Sequence, residues 1–477
     1  MKAFYVLLCV FAAVLCTYAT SSRFWTIADV HLSGRYVAGS DPQTYCTQGT
    51  GVAGPNGYYD CDTPPETLFP SSLQFMNTKE PDSDFLVWLG DSPTRYNREP
   101  NHTQTDDMIW GDMRRVAKTI DTIMGKNSQT GAKRLIFPVI GNHDNNPSTE
   151  CPAPEDNKTY YEKIADIWKI WLNDDQLATV KNGGYYTGMA TSNIRIVALN
   201  TVLYYVDNEA IAKNHTTHDV GGQLAWLEKT LASAAAAGEK VLIIAHVAPN
   251  FNIVAPLWFP FFINEFVRVV KPYAEKTIIG YLYGHDHSDS LALITAPDAS
   301  PEDAVGVSQL LPSVTPRMAV GAPNRDFTGG KNPAVRLYEY VDGRDGKLID
   351  YIQFIGDLMK EKQTGVFSWE KSYSFREQYN ATDLSFASLR KTIDRIRDNN
   401  SAWCSYFKFV SFYYFVFVSF YRHGFFFCLF YHRHFYADQK TDYAPILRRG
   451  YVCGMYCSDP VRLMNCISNP PFPDFNC

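Results

Sequence analysis

The segment from Leu135 to Asp144, LIFPVIGNHD, constrains the fold of this chain more than any other. An apolar run ending in Gly-Asn-His-Asp is typical of a buried strand, and open α/β sheets place their ligands at the carboxyl ends of such strands. Because Gly, Asn and Asp are also common turn residues, the tetrapeptide alone does not separate a ligand site from an ordinary turn. Asn142 and His143 are the first candidates for a functional role.

Apolar runs that end in a residue able to bind metal recur along the chain. WTIAD precedes a histidine, FLVWLGD and VLIIAH each end in a candidate ligand, and IIGYLYGHDH ends in two histidines. Two Asp, one Asn and four His, at expected strand ends on one rim of a sheet, supply the mixed nitrogen and oxygen donors that suit zinc, iron or manganese. The seven candidate metal ligands are Asp29, His31, Asp91, Asn142, His246, His285 and His287.

Segments with helical periodicity alternate with these apolar runs. Residues 106–124 repeat apolar side chains at helical spacing and begin with two aspartates, which favour the positive end of a helix. Residues 160–172 and 222–238 show the same periodicity, and a glycine closes the second of them. Alternating buried strands and helices predict a layered α/β domain.

The first twenty residues have the pattern of a secretory signal. Lys2 precedes an apolar stretch from Phe4 to Cys16, and small residues follow it. That stretch is too short for a comfortable membrane span, so a cleaved signal is favoured over an uncleaved anchor. The expected units are a signal peptide at 1–20, a metal-bearing domain at 21–352 and a helical, disulfide-bearing subdomain at 353–477.

An exported chain is expected to form disulfides and to carry glycans. Cys46 and Cys61 form one expected pair, and the remaining disulfide cysteines are Cys453, Cys457, Cys466 and Cys477. A zinc site is the alternative for these last four, but no histidine accompanies them. Asn-x-Ser/Thr acceptor sequences for glycans lie at Asn101, Asn157, Asn214, Asn380 and Asn399.

The overall charge gives little support to nucleic acid as a main partner. The net charge is −6, and the sequence contains no Lys/Arg-rich block of the kind that follows a phosphate backbone. A composition of 45% hydrophobic and 20% charged residues is that of an ordinary globular protein. We expect a monomer with no stable membrane span.

Residues 405–436 break this composition with a run dominated by Phe and Tyr. A transmembrane helix is opposed by Arg422, since a mid-span Arg costs about 2.5–3.5 kcal/mol even on permissive scales. A span would also place the C-terminal cysteines in the reducing cytosol, where disulfides do not last. We therefore interpret the run as an insertion, of the kind a mistranslated intron would give. The alternative is a buried aromatic helix or strand pair.

The order Asp-x-His, Gly-Asp, Gly-Asn-His-Asp, lone His and Gly-His-x-His resembles the calcineurin-like metallophosphoesterase superfamily across residues 24–290. Within this superfamily, the segments FWTIADVHL, WLGDSP and LYGHDHSDS and the spacing of the C-terminal cysteines resemble those of the acid sphingomyelinase-like phosphodiesterases. This resemblance implies a layered β-sandwich flanked by helices. It also implies two divalent metal ions, and zinc is the metal that a His-rich site favours.

The resemblance implies a role for each candidate residue. His143, backed by Asp144, would contact the phosphate or protonate the leaving group; the alternative is that it only shapes its loop. One metal would be held by Asp29, His31 and His287, the other by Asn142, His246 and His285, with Asp91 bridging the two.

One position departs from the family pattern. Arg95 stands where these phosphodiesterases have a histidine after Gly-Asp-Ser-Pro-x, and an arginine cannot donate a proton but binds phosphate through a bidentate contact.

The expected function is a secreted or lysosomal dimetal phosphodiesterase that hydrolyses small-molecule or lipid phosphodiesters, or nucleotide phosphoanhydrides, by attack of a metal-bound hydroxide. An endopolyphosphatase or phosphomonoesterase is the alternative enzyme, and Arg95 favours the former. A metal-bearing interaction protein whose catalysis has lapsed is the alternative of another class.

Overall fold

The computed structural model describes residues 22–61, 64–95, 103–249, 251–252, 255–297, 299–318, 330–399 and 401–402, with Tyr406, 416–418, 427–429 and Met455. The expected signal peptide, the glycan acceptor at Asn101 and the cysteines of the C-terminal tail lie outside the described residues. So does most of the aromatic run.

Strands supply many of the buried residues of the core. In chain order they are β1 (Ser22–Ile27), β2 (Phe85–Trp88), β3 (Leu135–Pro138), β4 (Tyr186–Met189), β5 (Ile194–Ala198), β6 (Lys240–Ala245), β7 (Phe251–Asn252), β8 (Ala255–Pro256), β9 (Ile278–Tyr283), β10 (Ser290–Ile294), β11 (Gly306–Leu310), β12 (Arg317–Met318), β13 (Gly330–Lys331), β14 (Ala334–Val341), β15 (Lys347–Gly356), β16 (Trp369–Ser374), β17 (Val416–Val418) and β18 (Phe427–Leu429).

Helices connect these strands. They are α1 (Leu68–Lys79), α2 (Asp106–Met124), α3 (Lys158–Trp168), α4 (Asp174–Gly183), α5 (Glu209–Ala212), α6 (Gln223–Ala237), α7 (Pro260–Val270), α8 (Leu358–Thr364), α9 (Phe375–Tyr379) and α10 (Phe386–Asp398). Among the residues that the structure describes, no helix is both long enough and apolar enough to cross a membrane.

Two six-stranded mixed sheets organise the fold. The first has the order β16-β15-β14-β1-β2-β3, in which β1, β2 and β3 run parallel and the other pairs are antiparallel. The second has the order β10-β11-β9-β6-β5-β4, with a parallel centre and an antiparallel strand at each edge. Each parallel centre is buried, as in layered α/β proteins.

The two sheets pack face to face. Gly280 on β9 lies so close to β15 that an added Cβ would come within 2.8 Å of Leu348 Cδ1. The Tyr338 hydroxyl on β14 donates a hydrogen bond of 3.2 Å to Gln309 Oε1 on β11. The expected β-sandwich flanked by helices is therefore confirmed.

Local capping explains where the predicted helices begin and end. Helix α2 has the predicted bounds, and Thr105 caps it by accepting from Met108 N. Helix α3 begins earlier than predicted, because Asn157 accepts from Tyr160 N, and it ends earlier, at Trp168. Helix α6 ends before Gly238, whose φ of 72° is the left-handed C-cap that glycine favours.

The first sheet continues past the predicted domain boundary at residue 352. Strand β15 crosses that position, and β16 pairs with it in the register Ile352 to Ser374. The polar, helix-like composition beyond residue 356 hid the strand at Trp369–Ser374, and the division into domains stays a prediction. Helix α10 follows and buries Leu389 and Ile393. Within the aromatic run, β17 and β18 form an antiparallel pair.

The predicted disulfide between Cys46 and Cys61 is present. Both cysteines are buried, with Cα atoms 5.8 Å apart and a sequence separation of 15. They pin a loop that follows two of the candidate ligands, and the buried rings of Tyr58 and Tyr59 pack with them.

Replacing both Cys46 and Cys61 with Ala should lower the free energy of unfolding by about 3 kcal/mol, the loop-entropy value for a loop of about 15 residues. Denaturant titration monitored by tryptophan fluorescence measures the difference. Cys151 is buried and forms no disulfide, so Cys151→Ala is the control for removing a cysteine without opening a loop. Equal stability of wild type and the double variant would contradict the role assigned to this bond.

Candidate metal centre

The seven predicted ligands meet at one rim, but that rim belongs to both sheets. The expectation of a single sheet was wrong, because β1, β2 and β3 lie in the first sheet whereas β6 and β9 lie in the second. The carboxyl ends of all five strands point the same way across the sandwich. They deliver Asp29 and His31 after β1, Asp91 after β2, Asn142 after β3, His246 after β6, and His285 and His287 after β9.

Five of the seven residues have a positive φ, which is uncommon outside glycine. Such backbone strain costs about 1–3 kcal/mol per residue and accumulates at functional sites. Main-chain hydrogen bonds stabilise two of these strained residues. Asp29 N donates to Gly90 O at 3.2 Å, and His31 N donates to Asp91 O at 3.0 Å. The φ values are 53° for Asp29, 46° for His31, 57° for Asp91, 71° for His285 and 52° for His287.

The first ligand set comprises Asp29, His31 and His287, with Asp91 beside them. The two histidine Nε2 atoms are 3.1 Å apart. His287 Nε2 lies 3.3 Å from Asp29 Oδ1, and His31 Nε2 lies 3.4 Å from Asp91 Oδ2. Ligands of a tetrahedral zinc ion with bonds of about 2.0–2.1 Å are about 3.3–3.4 Å apart, so these atoms are spaced like ligands of one ion.

The second ligand set comprises Asn142, His246 and His285. Asn142 Oδ1 lies 2.9 Å from His246 Nε2 and 2.8 Å from His285 Nδ1. His246 Nε2 lies 3.3 Å from the same Asp91 Oδ2 that faces the first set. The position of Asp91 between the two sets is that of a bridging carboxylate.

The orientation of the His31 and His246 rings shows whether their nitrogen lone pairs are directed at the place where a metal ion would bind. His246 Nδ1 lies 2.6 Å from Leu89 O and His31 Nδ1 lies 3.1 Å from Pro93 O, so in the neutral rings these nitrogens carry the proton. Nε2 of His246 then directs a lone pair at the Asn142 carbonyl oxygen. Two acceptors at 2.9 Å repel each other unless a proton or a metal ion lies between them. The donor set therefore fits bound divalent metal.

The electrostatics of the metal-free centre also favour added positive charge. Burial raises the pKa of Asp29 to about 8, and repulsion from Asp91 contributes to this shift. Burial opposes protonation of His246, but Asp91 and Asp29 outweigh it and raise the pKa of His246 to about 9. Burial keeps the pKa of His285 and of His287 well below the usual value, so both rings stay neutral, the form that binds metal.

His143 lies at the centre, and the Asp144 carboxylate binds the main chain of the loops around it. The Asp144 carboxylate accepts main-chain N–H groups, from Gly141 at 2.7 Å, Ser92 at 2.8 Å and Asp91 at 3.1 Å. His143 Nδ1 instead contacts Ser148 Oγ at 2.6 Å. Three loop amides thus bind both Asp144 carboxylate oxygens, and the role of Asp144 in support of His143 stays a prediction.

Arg95 lies within electrostatic reach of the centre. Burial is the main cause of the low pKa of His285 and of His287, and the positive charge of Arg95 lowers both values further. Arg317 acts on the same two histidines and on Asp29, although it stands on the short strand β12, outside any recognisable motif. Two cationic side chains therefore approach the centre, and sequence reasoning found only the first.

Other residues that the sequence did not single out surround the centre. The Tyr205 ring meets the His285 ring edge-on, with centroids 4.9 Å apart. Lys331 Nζ donates to Ser288 Oγ at 2.6 Å and to Asp286 O at 3.1 Å. Neither Tyr205 nor Lys331 lies in a metal-ligand motif, so the spacing of the motifs gave no signal for these two residues. Away from the centre, the glycan acceptors Asn157, Asn214, Asn380 and Asn399 are exposed, and their glycosylation stays a prediction.

Residues 22–289 match the family model of calcineurin-like phosphoesterases. The chain belongs to this family. It is 32% identical over 406 residues to acid sphingomyelinase-like phosphodiesterase 3b of Homo sapiens, which covers 82% of this chain and 84% of the relative. It is 33% identical to sphingomyelinase phosphodiesterase C of Dictyostelium discoideum, covering 77% and 80%. A cyclic GMP-AMP phosphodiesterase of Mus musculus is 30% identical, covering 82% and 84%.

These similarities confirm the resemblance inferred from the sequence motifs. The family and its phosphodiesterase members identify this chain as a metal-dependent phosphodiester hydrolase. The buried Asp and His cluster described above is the part of the chain suited to its metal.

Metal uptake should depend on pH. In the metal-free chain His246 and Asp29, with pKa values of about 9 and about 8, carry protons at neutral pH that a cation must displace. Affinity for zinc should therefore increase as the pH is raised through this range, and binding at neutral pH should release protons. Calorimetric titration in buffers with different ionisation enthalpies measures both. Affinity that is constant with pH, without proton release, would be inconsistent with these protonation states.

Proposed function

We propose that the centre binds two zinc ions and hydrolyses phosphodiesters or nucleotide phosphoanhydrides. The observation that carries this proposal is the position of Asp91, whose Oδ2 lies 3.4 Å from His31 Nε2 and 3.3 Å from His246 Nε2. One carboxylate oxygen thus serves two ligand sets, which is the arrangement of a two-metal site. Zinc is preferred because histidine supplies most of the donors.

The two ligand sets would hold the ions, and Asp91 would be shared between them. Bound divalent ions supply neutralisation of phosphate charge and lower the pKa of a bound water. The chain's contribution is a rigid, buried donor set, since the ligands from β1, β2 and β6 are at most 1% exposed. The strained backbone keeps their side chains directed at the centre.

His143 is proposed to donate the proton that the leaving oxygen needs. Its main-chain N donates to Asp91 Oδ1 at 2.7 Å, and its Nδ1 is engaged by Ser148, so the ring has a fixed orientation. Burial opposes ionisation of Asp91, but His246 and then His143 hold the pKa of Asp91 well below its usual value, so His143 and Asp91 lie close enough to interact. A charged, oriented imidazole is suited to general-acid catalysis through Nε2.

Arg95 is proposed to bind the negatively charged phosphate. Its charge acts on the same histidines as that of Arg317, so an anion at the centre would face two cations. Guanidinium groups bind phosphate oxygens in a bidentate manner. The relatives named for sphingomyelin and for cyclic GMP-AMP both act on phosphodiesters, which makes a small-molecule or lipid phosphodiester the proposed substrate class.

The location and assembly of the protein remain part of the proposal. A secretory signal in the sequence and a buried disulfide support a secreted or lysosomal enzyme. We propose that it acts as a monomer. Endopolyphosphatase activity is the second candidate, and Arg95 in place of the family histidine is the observation that favours it.

Asp91→Asn and His246→Ala should each lower kcat/KM by more than about 100-fold, the loss that even an outer partner of a metal ligand can cause. Rates on bis(p-nitrophenyl) phosphate, with metal content and melting temperature measured in parallel, separate catalysis from folding. The exposed Asp345→Asn is the matched control and should leave the rate unchanged. Full activity of either variant, or of metal-free protein, would overturn the dimetal proposal.

His143→Gln should lower the rate by about 10²–10⁴-fold on a diester with an alkoxide leaving group, because such a group needs a proton. The loss should be much smaller with p-nitrophenolate, which leaves without one. Ser148→Ala removes the partner of Nδ1 and should show a weaker form of the same leaving-group dependence. Equal losses on both substrates would assign His143 to loop shape rather than proton donation.

A substrate panel decides between the two candidate enzymes. Nucleotides, sphingomyelin, cyclic dinucleotides and long-chain polyphosphate would be compared at mildly acidic and neutral pH, with and without chelator. Arg95→Ala should raise KM for a diester by at least about tenfold, as expected for losing a charge-assisted hydrogen bond of about 1.5–3 kcal/mol. Arg95→His restores the family residue and is the control. Shortening of polyphosphate alone would favour the endopolyphosphatase.

A further inference from the structure

A second group of metal-binding side chains lies outside the catalytic centre. Glu155, with Asp156 next to it, lies on the loop that leads into α3. His215 and His218 lie on the loop between α5 and α6. We call these four residues the loop cluster. The mechanism above uses none of them, and they share no residue with the two ligand sets.

Three atoms of the loop cluster form a nearly regular triangle. His215 Nδ1 lies 3.3 Å from His218 Nε2 and 3.6 Å from Glu155 Oε1, and His218 Nε2 lies 3.5 Å from Glu155 Oε1. Ligands of a tetrahedral zinc ion are about 3.3–3.4 Å apart, when the metal–nitrogen bonds are about 2.0–2.1 Å. The triangle is therefore the size expected for three ligands around one ion.

Simple ion pairing does not account for this spacing. A histidine paired with a carboxylate brings one N–H to within about 2.7–3.2 Å of an oxygen. Glu155 Oε1 instead lies at similar, longer distances from both rings. The two ring nitrogens are within hydrogen-bond distance of each other at 3.3 Å, and all three atoms are close enough to share one ion.

Asp156 orients His215 as a carboxylate orients a metal-binding histidine. Its Oδ2 lies 2.8 Å from His215 Nε2, so this nitrogen carries the proton and Nδ1 directs its lone pair towards Glu155 and His218. The His215 side chain is 11% exposed, whereas Glu155 and His218 are 44% and 47% exposed. An ion can therefore enter from solvent, and water can complete its coordination.

The scaffold beneath the loop cluster is already fixed. The buried Asn208 amide donates to Cys151 O and to Val202 O, each at 2.9 Å, which joins the two loops. His215 N donates to Ile211 O at 2.9 Å at the end of α5. The loop cluster thus joins two loops whose residues Asp156 and His215 are 59 positions apart, on a support that hydrogen bonds already hold together.

We propose that Glu155, His215 and His218 bind a third divalent transition metal ion, of the zinc class, with Asp156 as the positioning residue. Two neutral imidazoles and a carboxylate are the donors that zinc prefers. The ion clips these two loops together. One loop begins with the segment holding His143 and Ser148, and the other follows Tyr205.

The test is the metal content of matched variants. Purified full-length protein is loaded with excess zinc, dialysed, and analysed by mass spectrometry for metal per chain. The double variant Glu155→Gln/His218→Ala should contain about one zinc fewer than wild type, because both replaced side chains are ligands. The control Lys213→Ala/Glu209→Gln changes exposed residues of the same region and should keep the wild-type content. Equal zinc content in wild type and the double variant would overturn the proposal.

Hydrogen exchange of the two loops provides a second readout. Zinc should slow amide exchange in residues 151–157 and 213–219 of wild type, and should not do so in the double variant. An unchanged response in the variant would likewise refute the site. The same measurement in Asp91→Asn keeps this inference separate from the proposed function, since that variant loses the catalytic bridge but retains the loop cluster.

Discussion

The carboxylate of Asp144 joins the two loops on which the metal centre depends. It accepts N–H groups from Gly141 on its own loop and from Asp91 and Ser92 on the loop after β2. These loops meet backbone to backbone, because an added Cβ on Gly141 would lie 2.2 Å from Asp91 N. Burial raises the pKa of Asp144 to about 6, so this bridge costs desolvation energy that three hydrogen bonds offset. With it, Asp91 and Asn142 reach the same centre.

The centre itself is destabilising before metal is bound. Asp29 and Asp91 are both fully buried, and burial raises the pKa of Asp29 to about 8, a desolvation cost that adds to the strain of five residues with positive φ. Each strained residue costs about 1–3 kcal/mol, which the sandwich core must offset. Bound divalent ions would displace the proton of Asp29 and use both carboxylates as ligands.

The sequence predicted the ligands because each one lies at or just after the end of an apolar run. The end of a buried strand can be recognised from neighbouring residues alone. It did not predict that Asp144 would bind amides of two loops or that Ser148 would contact the His143 ring, since both depend on how the loops cross. Arg317 was missed because it lies on a two-residue strand with no periodicity. The strand at Trp369–Ser374 was missed for a similar reason, because its outward face is polar and its pairing with β15 is a long-range choice.

The segment from Asn142 to Asn157 links the catalytic centre to the loop cluster. At its start, Thr149 N donates to Asn142 O at 2.7 Å, and at its end Asn157 caps α3. Between them, Tyr160 and Tyr161 of α3 donate to Asp144 O and Pro152 O, at 3.2 Å and 2.6 Å. The helix therefore anchors the segment at two points. Because Ser148 lies within this segment, the orientation of the His143 ring depends on the same anchors, and fixing Glu155 with a metal would tighten a support that the proposed proton donor already uses.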